Sequence, residues 1–193
     1  MLDPAGHAQN TGRQIDDTLE RSVTLQLAQA LKEKLELHNE GVQVVLTRGA
    51  GQTIQPLQNA NFANRLNADL FISINFYHET QTKPRLYLYN FSYNDDYLAK
   101  PAKLSFCAYD KAHLFSYGTT QQWGAIMQEV LQGDSYKSSF DCVGLYKLPF
   151  KSLIGIKCPA IALEAGLTNK DAWGVYVQPM AAALQQIIEK IPG

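Results

Sequence analysis

Three side chains of the types that hydrolytic metal sites use are spread along this sequence. His7 follows the turn segment 2–6, Glu20 opens a helical pattern, and Glu164 ends a short apolar segment. A zinc hydrolase combines two or three nitrogen or oxygen ligands with one free carboxylate that moves protons. The three residue types therefore have the composition of such a site, provided that the fold brings them together.

Each of the three residues also has a structural interpretation. His7 would then be an exposed turn histidine. Glu20 would close a capping box with Asp17, in which Asp17 is the N-cap and Glu20 reaches back to its N–H. Glu164 would be a solvent-facing carboxylate at a strand end or one partner of a salt bridge. Local sequence leaves both sets of roles open.

Asn75 and His78 lie in and after the most apolar segment of the chain. A buried amide without partners costs about 1–3 kcal/mol, so Asn75 either bonds neighbouring backbone or lies at the mouth of the site. Along an extended strand, His78 lies about 10 Å beyond Asn75 and on the opposite face. His78 therefore supplies an imidazole near Asn75 only if the chain turns at residues 76–77.

The positioning elements alternate between helical and strand patterns, which predicts one α/β domain over residues 1–193. Helical spacing of apolar residues covers 18–38, 58–67, 114–132 and 171–190, and strand patterns cover 42–47, 70–77, 86–91 and 160–163. The polar and aromatic segment 92–112 reads as a long loop or lid. We expect a mostly parallel twisted sheet with helices on both faces and the site at the carboxyl ends of the strands.

Composition excludes several classes of protein. Hydrophobic residues make up 46% of the 193 and charged residues 18%, which argues against disorder. The net charge of −1 gives no reason to expect a nucleic-acid partner. No apolar run is long enough to span a bilayer, and no export signal opens the chain. Because a strand leading into the turn at 2–4 would need more residues than Met1 and Leu2, we expect the natural protein to extend upstream of Met1.

The three cysteines, Cys107, Cys142 and Cys158, lack metal-like spacing. We interpret them as buried structural thiols, and their odd number leaves at least one without an intramolecular partner. One disulfide among them remains open, and the sequence does not choose the pair.

Four segments in order resemble the zinc-dependent N-acetylmuramoyl-L-alanine amidases of the amidase-3 type, which hydrolyse peptidoglycan. They are Leu2-Asp3-Pro4-Ala5-Gly6-His7, Glu20 with its Leu/Ala-rich helix, the segment 68–74, and the segment 159–169 that contains Glu164. The chain departs from the family in the extra residue Ala5 and in Asn75, which stands where the family has histidine.

The resemblance implies a Zn²⁺ ion held by His7 and Glu20, with a third ligand at Asn75 or His78. The ion would lower the pKa of a bound water. Glu164 would act as the catalytic base, and the amide between N-acetylmuramic acid and L-alanine would be cleaved. The partner would be peptidoglycan, the location periplasmic or extracellular, and the chain a monomer.

Because an amide oxygen is a poorer zinc ligand than imidazole, a second interpretation stays open. In it, the chain is a catalytically degenerate, amidase-like module that binds peptidoglycan or regulates its turnover. A flavodoxin-like ligand-binding domain is disfavoured, since no Gly-rich phosphate loop follows a strand.

Overall fold

The computed structural model describes residues 1–55, 57–93 and 107–191, and these build an α/β domain around one five-stranded sheet. The sheet has the order β1-β4-β7-β5-β6 and is parallel except between β5 and β7. Its strands are β1 (Leu2–Pro4), β4 (Phe71–His78), β5 (Arg85–Phe91), β6 (Asp141–Leu148) and β7 (Ala160–Leu167). A two-stranded hairpin, β2 (Gln14–Ile15) with β3 (Thr18–Leu19), stands beside it. The expected α/β class with a mostly parallel sheet is confirmed.

Helices cover both faces of the sheet, as the sequence predicts. The helices are α1 (Glu20–His38), α2 (Gln58–Leu66), α3 (Tyr117–Leu131) and α4 (Val177–Ile188). On one face α1, α3 and α4 bury the alternate residues Ile72, Ile74 and Phe76 of β4 in the larger core. On the other face α2 and the short 3-10 helix Lys151–Leu153 pack over only part of the sheet. This second face is where the candidate site lies.

The first helix begins two residues later than the sequence pattern predicts. Thr18 and Leu19 pair with the preceding β2 instead, and Leu19 is an extended N-cap that makes no side-chain capping bond. The Asp17–Glu20 capping box does not form, because α1 begins at Glu20 and Asp17 is therefore not its N-cap; Asp17 instead binds the ammonium of Lys170 at 2.8 Å. The first turn of α1 therefore leaves the carboxylate of Glu20 available to other partners.

Other predicted boundaries need correction. Segment 42–47 is not a strand: it runs beside β1 with a single bridge, Leu2 to Leu46. Strand β6 was not predicted, because most of its residues are exposed on both faces and no alternation marks it. Helices α3 and α4 each follow a 3-10 helix, Tyr109–Ser116 and Ala172–Tyr176, that the sequence pattern had merged with them. Residues 94–106 of the predicted lid lie outside the described residues.

The three cysteines are free thiols in half-buried positions, so no disulfide joins them. Within the described ranges, no helix is long and apolar enough to cross a membrane.

Candidate functional site

The candidate site lies on the partly covered face of the sheet, where three strands place polar side chains side by side. Asn75 of β4 is the register partner of Glu164 of β7, and Glu164 is in turn opposite Tyr87 of β5. Register partners point to the same face of a sheet. The fold therefore brings Asn75 and Glu164 together in mid-strand, three residues before β4 and β7 end, because β7 continues to Leu167 beyond the predicted end at 163.

Both carboxylate oxygens of Glu164 are engaged by protein groups. Its Oε1 lies 2.6 Å from Nη1 of Arg13, and its Oε2 accepts the hydroxyl of Tyr89 at 3.1 Å. Burial and the adjacent Glu164 carboxylate raise the pKa of Tyr89, so this hydroxyl stays a donor at neutral pH. Only 17% of the Glu164 side chain is exposed, against 51% for Arg13. Glu164 is thus an ion-paired carboxylate that is largely withdrawn from solvent.

Arg13 connects the two acidic residues of the site. Its guanidinium reaches Glu164 and also donates to the carbonyl of Phe76 at 3.2 Å, while its backbone N–H donates to Oε2 of Glu20 at 2.9 Å. One residue therefore supplies a positive charge to Glu164 and a backbone donor to Glu20.

Glu20 is buried and works as a tether between the hairpin and the sheet. Its Oε1 accepts the backbone N–H of Phe76 at 2.9 Å, and its Oε2 accepts that of Arg13. Gly12 makes this possible: its φ is +75°, and a Cβ there would lie 2.6 Å from Oε2 of Glu20. Each carboxylate oxygen thus satisfies a backbone donor that would otherwise lack a partner.

His7 lies in a turn whose shape the surrounding residues fix. Its Nδ1 accepts the backbone N–H groups of Gln9 and Asn10, both at 3.3 Å. The buried guanidinium of Arg48 donates to the carbonyls of Pro4 and Ala5, just before the turn, at 2.9 Å each. His7 Nδ1 is therefore engaged by its own turn, and Nε2 is the ring nitrogen that faces other partners.

Asn75 and His78 are separated by the strand that carries them. The Nδ2 of Asn75 donates to Oγ of Ser73 and to the carbonyl of Leu163, both at 3.2 Å, so its amide bonds neighbouring groups. The chain does not turn at residues 76–77, because β4 continues to His78 in register with Leu167. His78 is exposed and lies on the opposite face from Asn75.

The donor set does not match what zinc requires. Within residues 1–55, 57–93 and 107–191, no three His, Cys, Asp or Glu side chains form a group that could hold a metal ion. Zinc sites use three or four imidazole, thiolate or carboxylate ligands, and here the third position is an amide. The carboxylate oxygens of Glu20 already accept two backbone N–H groups. Zinc ligation by His7, Glu20, Asn75 and His78 stays a prediction that this arrangement does not favour.

Comparison with known proteins identifies the family. A family model described as N-acetylmuramoyl-L-alanine amidase, amidase-3, matches residues 1–188. The chain belongs to this family. A curated relative, the N-acetylmuramoyl-L-alanine amidase CwlM of Bacillus licheniformis, is 36% identical over 74 residues. That stretch is 38% of this amidase-family chain and only 29% of the relative, so the match does not carry the relative's whole activity across.

Solved structures of amidases share the fold at low sequence identity. Ami1 of Mycobacterium smegmatis superposes with a TM-score of 0.72 at 14% identity, covering 98% of this chain and 96% of that one. The enzyme of Clostridium difficile 630 gives 0.71 at 18%, covering 99% and 96%. The catalytic domain of CwlV from Paenibacillus polymyxa gives 0.69 at 17%, covering 97% and 96%. At such identities the likeness establishes the architecture of this amidase-family chain.

The sequence does not predict two residues of the site, Arg13 and Tyr89. Arg13 lies in a short segment between His7 and Glu20 that has no periodic pattern, and nothing there distinguishes it from a solvated arginine. Tyr89 belongs to a strand that is recognisably rich in tyrosine. Period-two alternation would have placed Tyr87 and Tyr89 on one face, but only the register with β7 brings that face to Glu164.

Proposed function

We propose that this amidase-family chain recognises peptidoglycan at its amidase-type site and does so without a catalytic zinc ion. The observation that carries the proposal is the pairing of Glu164 with Arg13 at 2.6 Å and with Tyr89 at 3.1 Å. A general base must present a lone pair to the water from which it takes a proton. In this site each oxygen of Glu164 already accepts one donor of the chain, so water competes with Arg13 and Tyr89 for the carboxylate.

The charge balance of the site supports the same proposal. Zinc would bring two positive charges to a pocket with the carboxylates Glu20 and Glu164. Here Arg13 supplies one positive charge directly to Glu164, and the backbone N–H groups of Arg13 and Phe76 serve Glu20. Arg13 therefore neutralises Glu164, and the two backbone donors stabilise the charge of Glu20, which reduces the electrostatic attraction of the pocket for a divalent cation.

Metal analysis tests the absence of zinc chemistry. Purified protein is loaded with zinc, desalted and measured by elemental analysis beside the variant Asn75→His, which restores the imidazole of the family pattern. We expect the wild-type chain to retain far less than one zinc per molecule and the variant to retain more, since imidazole is the better ligand. One tightly held zinc per wild-type molecule would overturn this part of the proposal.

Co-sedimentation with purified peptidoglycan sacculi tests the recognition itself. We expect the chain to pellet with the sacculi while the supernatant gains no free stem peptide. Arg13→Ala should weaken the binding if the ion pair shapes the site, and Lys170→Ala, which removes a surface cation paired with Asp17, is the matched control. A chain that stays in the supernatant does not have the proposed function.

A second candidate is hydrolysis of the muramoyl–L-alanine amide, which the exposure of Arg13 favours. Its side chain is half exposed, and ion pairs near the surface contribute only about 0–1 kcal/mol, so a ligand can displace it from Glu164. Glu164 would then be free to accept a proton. Release of stem peptide by the wild type, and its loss in Glu164→Gln at unchanged metal content, would establish this alternative.

Several coarser expectations belong to the same proposal. We place the protein in the periplasm or outside the cell, where peptidoglycan lies, and we take residues 1–193 as one amidase-type unit that acts as a monomer. Fractionation of cells and light scattering of the purified chain test these two expectations separately.

A further inference from the structure

Next to Glu164, the partly covered face of the sheet carries a cluster of aromatic rings, of which only the Tyr89 hydroxyl takes part in the contacts described above. Tyr87 and Tyr89 are two residues apart on β5 and point to the same face, and Tyr146 of β6 is the register partner of Tyr89. The ring centroids are 6.4 Å apart for Tyr87–Tyr89, 6.3 Å for Tyr87–Tyr146 and 6.2 Å for Tyr89–Tyr146. The three rings thus form a nearly equilateral triangle, which we call the tyrosine triangle.

A fourth ring fixes the floor of the triangle. Phe150 stacks on Tyr89 with centroids 5.0 Å apart and an interplanar angle of 23°. Tyr89 is buried between these rings and fixes its hydroxyl on Glu164, whereas Tyr87 is half-buried and Tyr146 is 44% exposed. Tyr146 and Tyr87 therefore present aromatic surface to solvent above a rigid base.

A contiguous exposed aromatic patch on a folded protein often marks a binding site, whereas single exposed apolar side chains are common and carry no such meaning. The faces of aromatic rings carry partial negative charge, which attracts weakly positive C–H groups and repels anions. The cation–π contacts of the described residues lie on Tyr117 and Phe115, so no cation from those residues stacks on the triangle. The triangle suits a neutral ligand with a C–H-rich face better than it suits a carboxylate-bearing peptide.

We infer that the tyrosine triangle is a subsite for one N-acetylated sugar ring of a glycan strand, with Tyr146 as its exposed stacking face. The inference rests on the proposed function, because it takes peptidoglycan as the polymer that is bound. The triangle is continuous with the site, since the hydroxyl of Tyr89 touches Glu164 and Tyr87 is the register partner of Glu164. The muramoyl unit named in the family description is such a sugar.

The geometry divides recognition between two parts of the site. The pair of Arg13 and Glu164 offers charge and hydrogen bonds to the peptide end of the substrate, and the tyrosine triangle offers stacking to the sugar end. Loss of the triangle should therefore weaken binding of glycan while leaving the binding of a stem peptide unchanged.

Isothermal titration with two probes tests the subsite. The first probe is a tetramer of β-1,4-linked N-acetylglucosamine, and the second is the dipeptide L-alanyl-D-isoglutamine. We expect Tyr146→Ala to weaken binding of the tetramer roughly twofold to tenfold, the range of one aromatic contact. Tyr146→Phe should bind the tetramer as the wild type does, because it keeps the ring.

Lys147→Ala is the matched control, since Lys147 is the next residue of β6 and its ammonium reaches the hydroxyl of Tyr117 instead. Equal tetramer affinity in Tyr146→Ala and the wild type would overturn the subsite, as would a loss confined to the dipeptide. Thermal unfolding of Tyr146→Ala at the wild-type temperature verifies that the variant is folded. Sacculus binding that persists without tetramer binding would refute the subsite and leave the proposed function standing, whereas loss of both would refute both.

Discussion

Replacing Glu20 by glutamine tests whether this carboxylate has a structural role or acts as a metal ligand. Glu20 is buried and its two oxygens accept the backbone N–H groups of Arg13 and Phe76, each at 2.9 Å. Glutamine keeps one acceptor and turns an NH₂ group toward the second donor. A hydrogen bond to a charged group contributes about 1.5–3 kcal/mol, and a donor left unpaired costs about 1–3 kcal/mol.

We therefore expect Glu20→Gln to lower the free energy of unfolding by about 2–3 kcal/mol. For a chain of this length the loss corresponds to a fall of roughly 4–12 °C in Tm. Urea titration followed by circular dichroism measures the free energy, once in EDTA and once with added zinc. The loss should be the same in both, because the two donors belong to the backbone.

Glu33→Gln on the exposed side of α1 is the control and should leave the unfolding curve unchanged. The tether interpretation fails if Glu20→Gln is as stable as the wild type in EDTA. It also fails if the variant loses stability only when zinc is present, because the carboxylate would then act through the metal.

Three further predictions follow from other buried or strained positions. Burial raises the pKa of Asp3, so its stabilising contribution is complete at low pH and is lost as pH rises from about 4 through the raised value. The Tm advantage of Asp3→Asn over the wild type should accordingly grow between pH 4 and pH 7, and a constant difference would contradict the assignment. Gly12→Ala should lower the free energy of unfolding by more than the about 1–2 kcal/mol of left-handed strain, because its Cβ would lie 2.6 Å from Oε2 of Glu20. Gly51→Ala is the control: its φ is similar but its Cβ would lie in open space, so it should cost the strain alone. Burial raises the pKa of the Cys142 thiol to about 11, so peptide mapping after brief alkylation at pH 8 should find it mostly unmodified, and rapid labelling would show that it is accessible.

The elements that the sequence predicts best are those whose apolar pattern is dictated by burial. The leucine spacing of α1 and the continuous apolar residues of β4 follow directly from one covered helix face and a central position in the sheet. Glu164 and Asn75 could each be assigned to a strand, but both lie in mid-strand, and only the register of β4 with β7 shows that they are neighbours. Strand β6 could not be predicted, because five of its eight residues are exposed and the exposed and covered residues do not alternate regularly.

The partners of the candidate residues depend on contacts between distant segments, which no local pattern records. Arg13 and Glu164 lie near opposite ends of the sequence, and the short hairpin of β2 and β3 holds Arg13 beside Glu164. Segment 42–47 has the composition of a strand, yet its neighbour β1 is only three residues long and offers it little to pair with. Family resemblance suggested candidate positions for the site, but it did not indicate which groups contact them.

The cation that faces Glu164 is covalently part of the chain, and this has a consequence for the conditions under which the site keeps its shape. A guanidinium stays protonated at any physiological pH and cannot be removed by a chelator. We therefore expect the contact between Arg13 and Glu164 to persist in a chelator as well as in added metal.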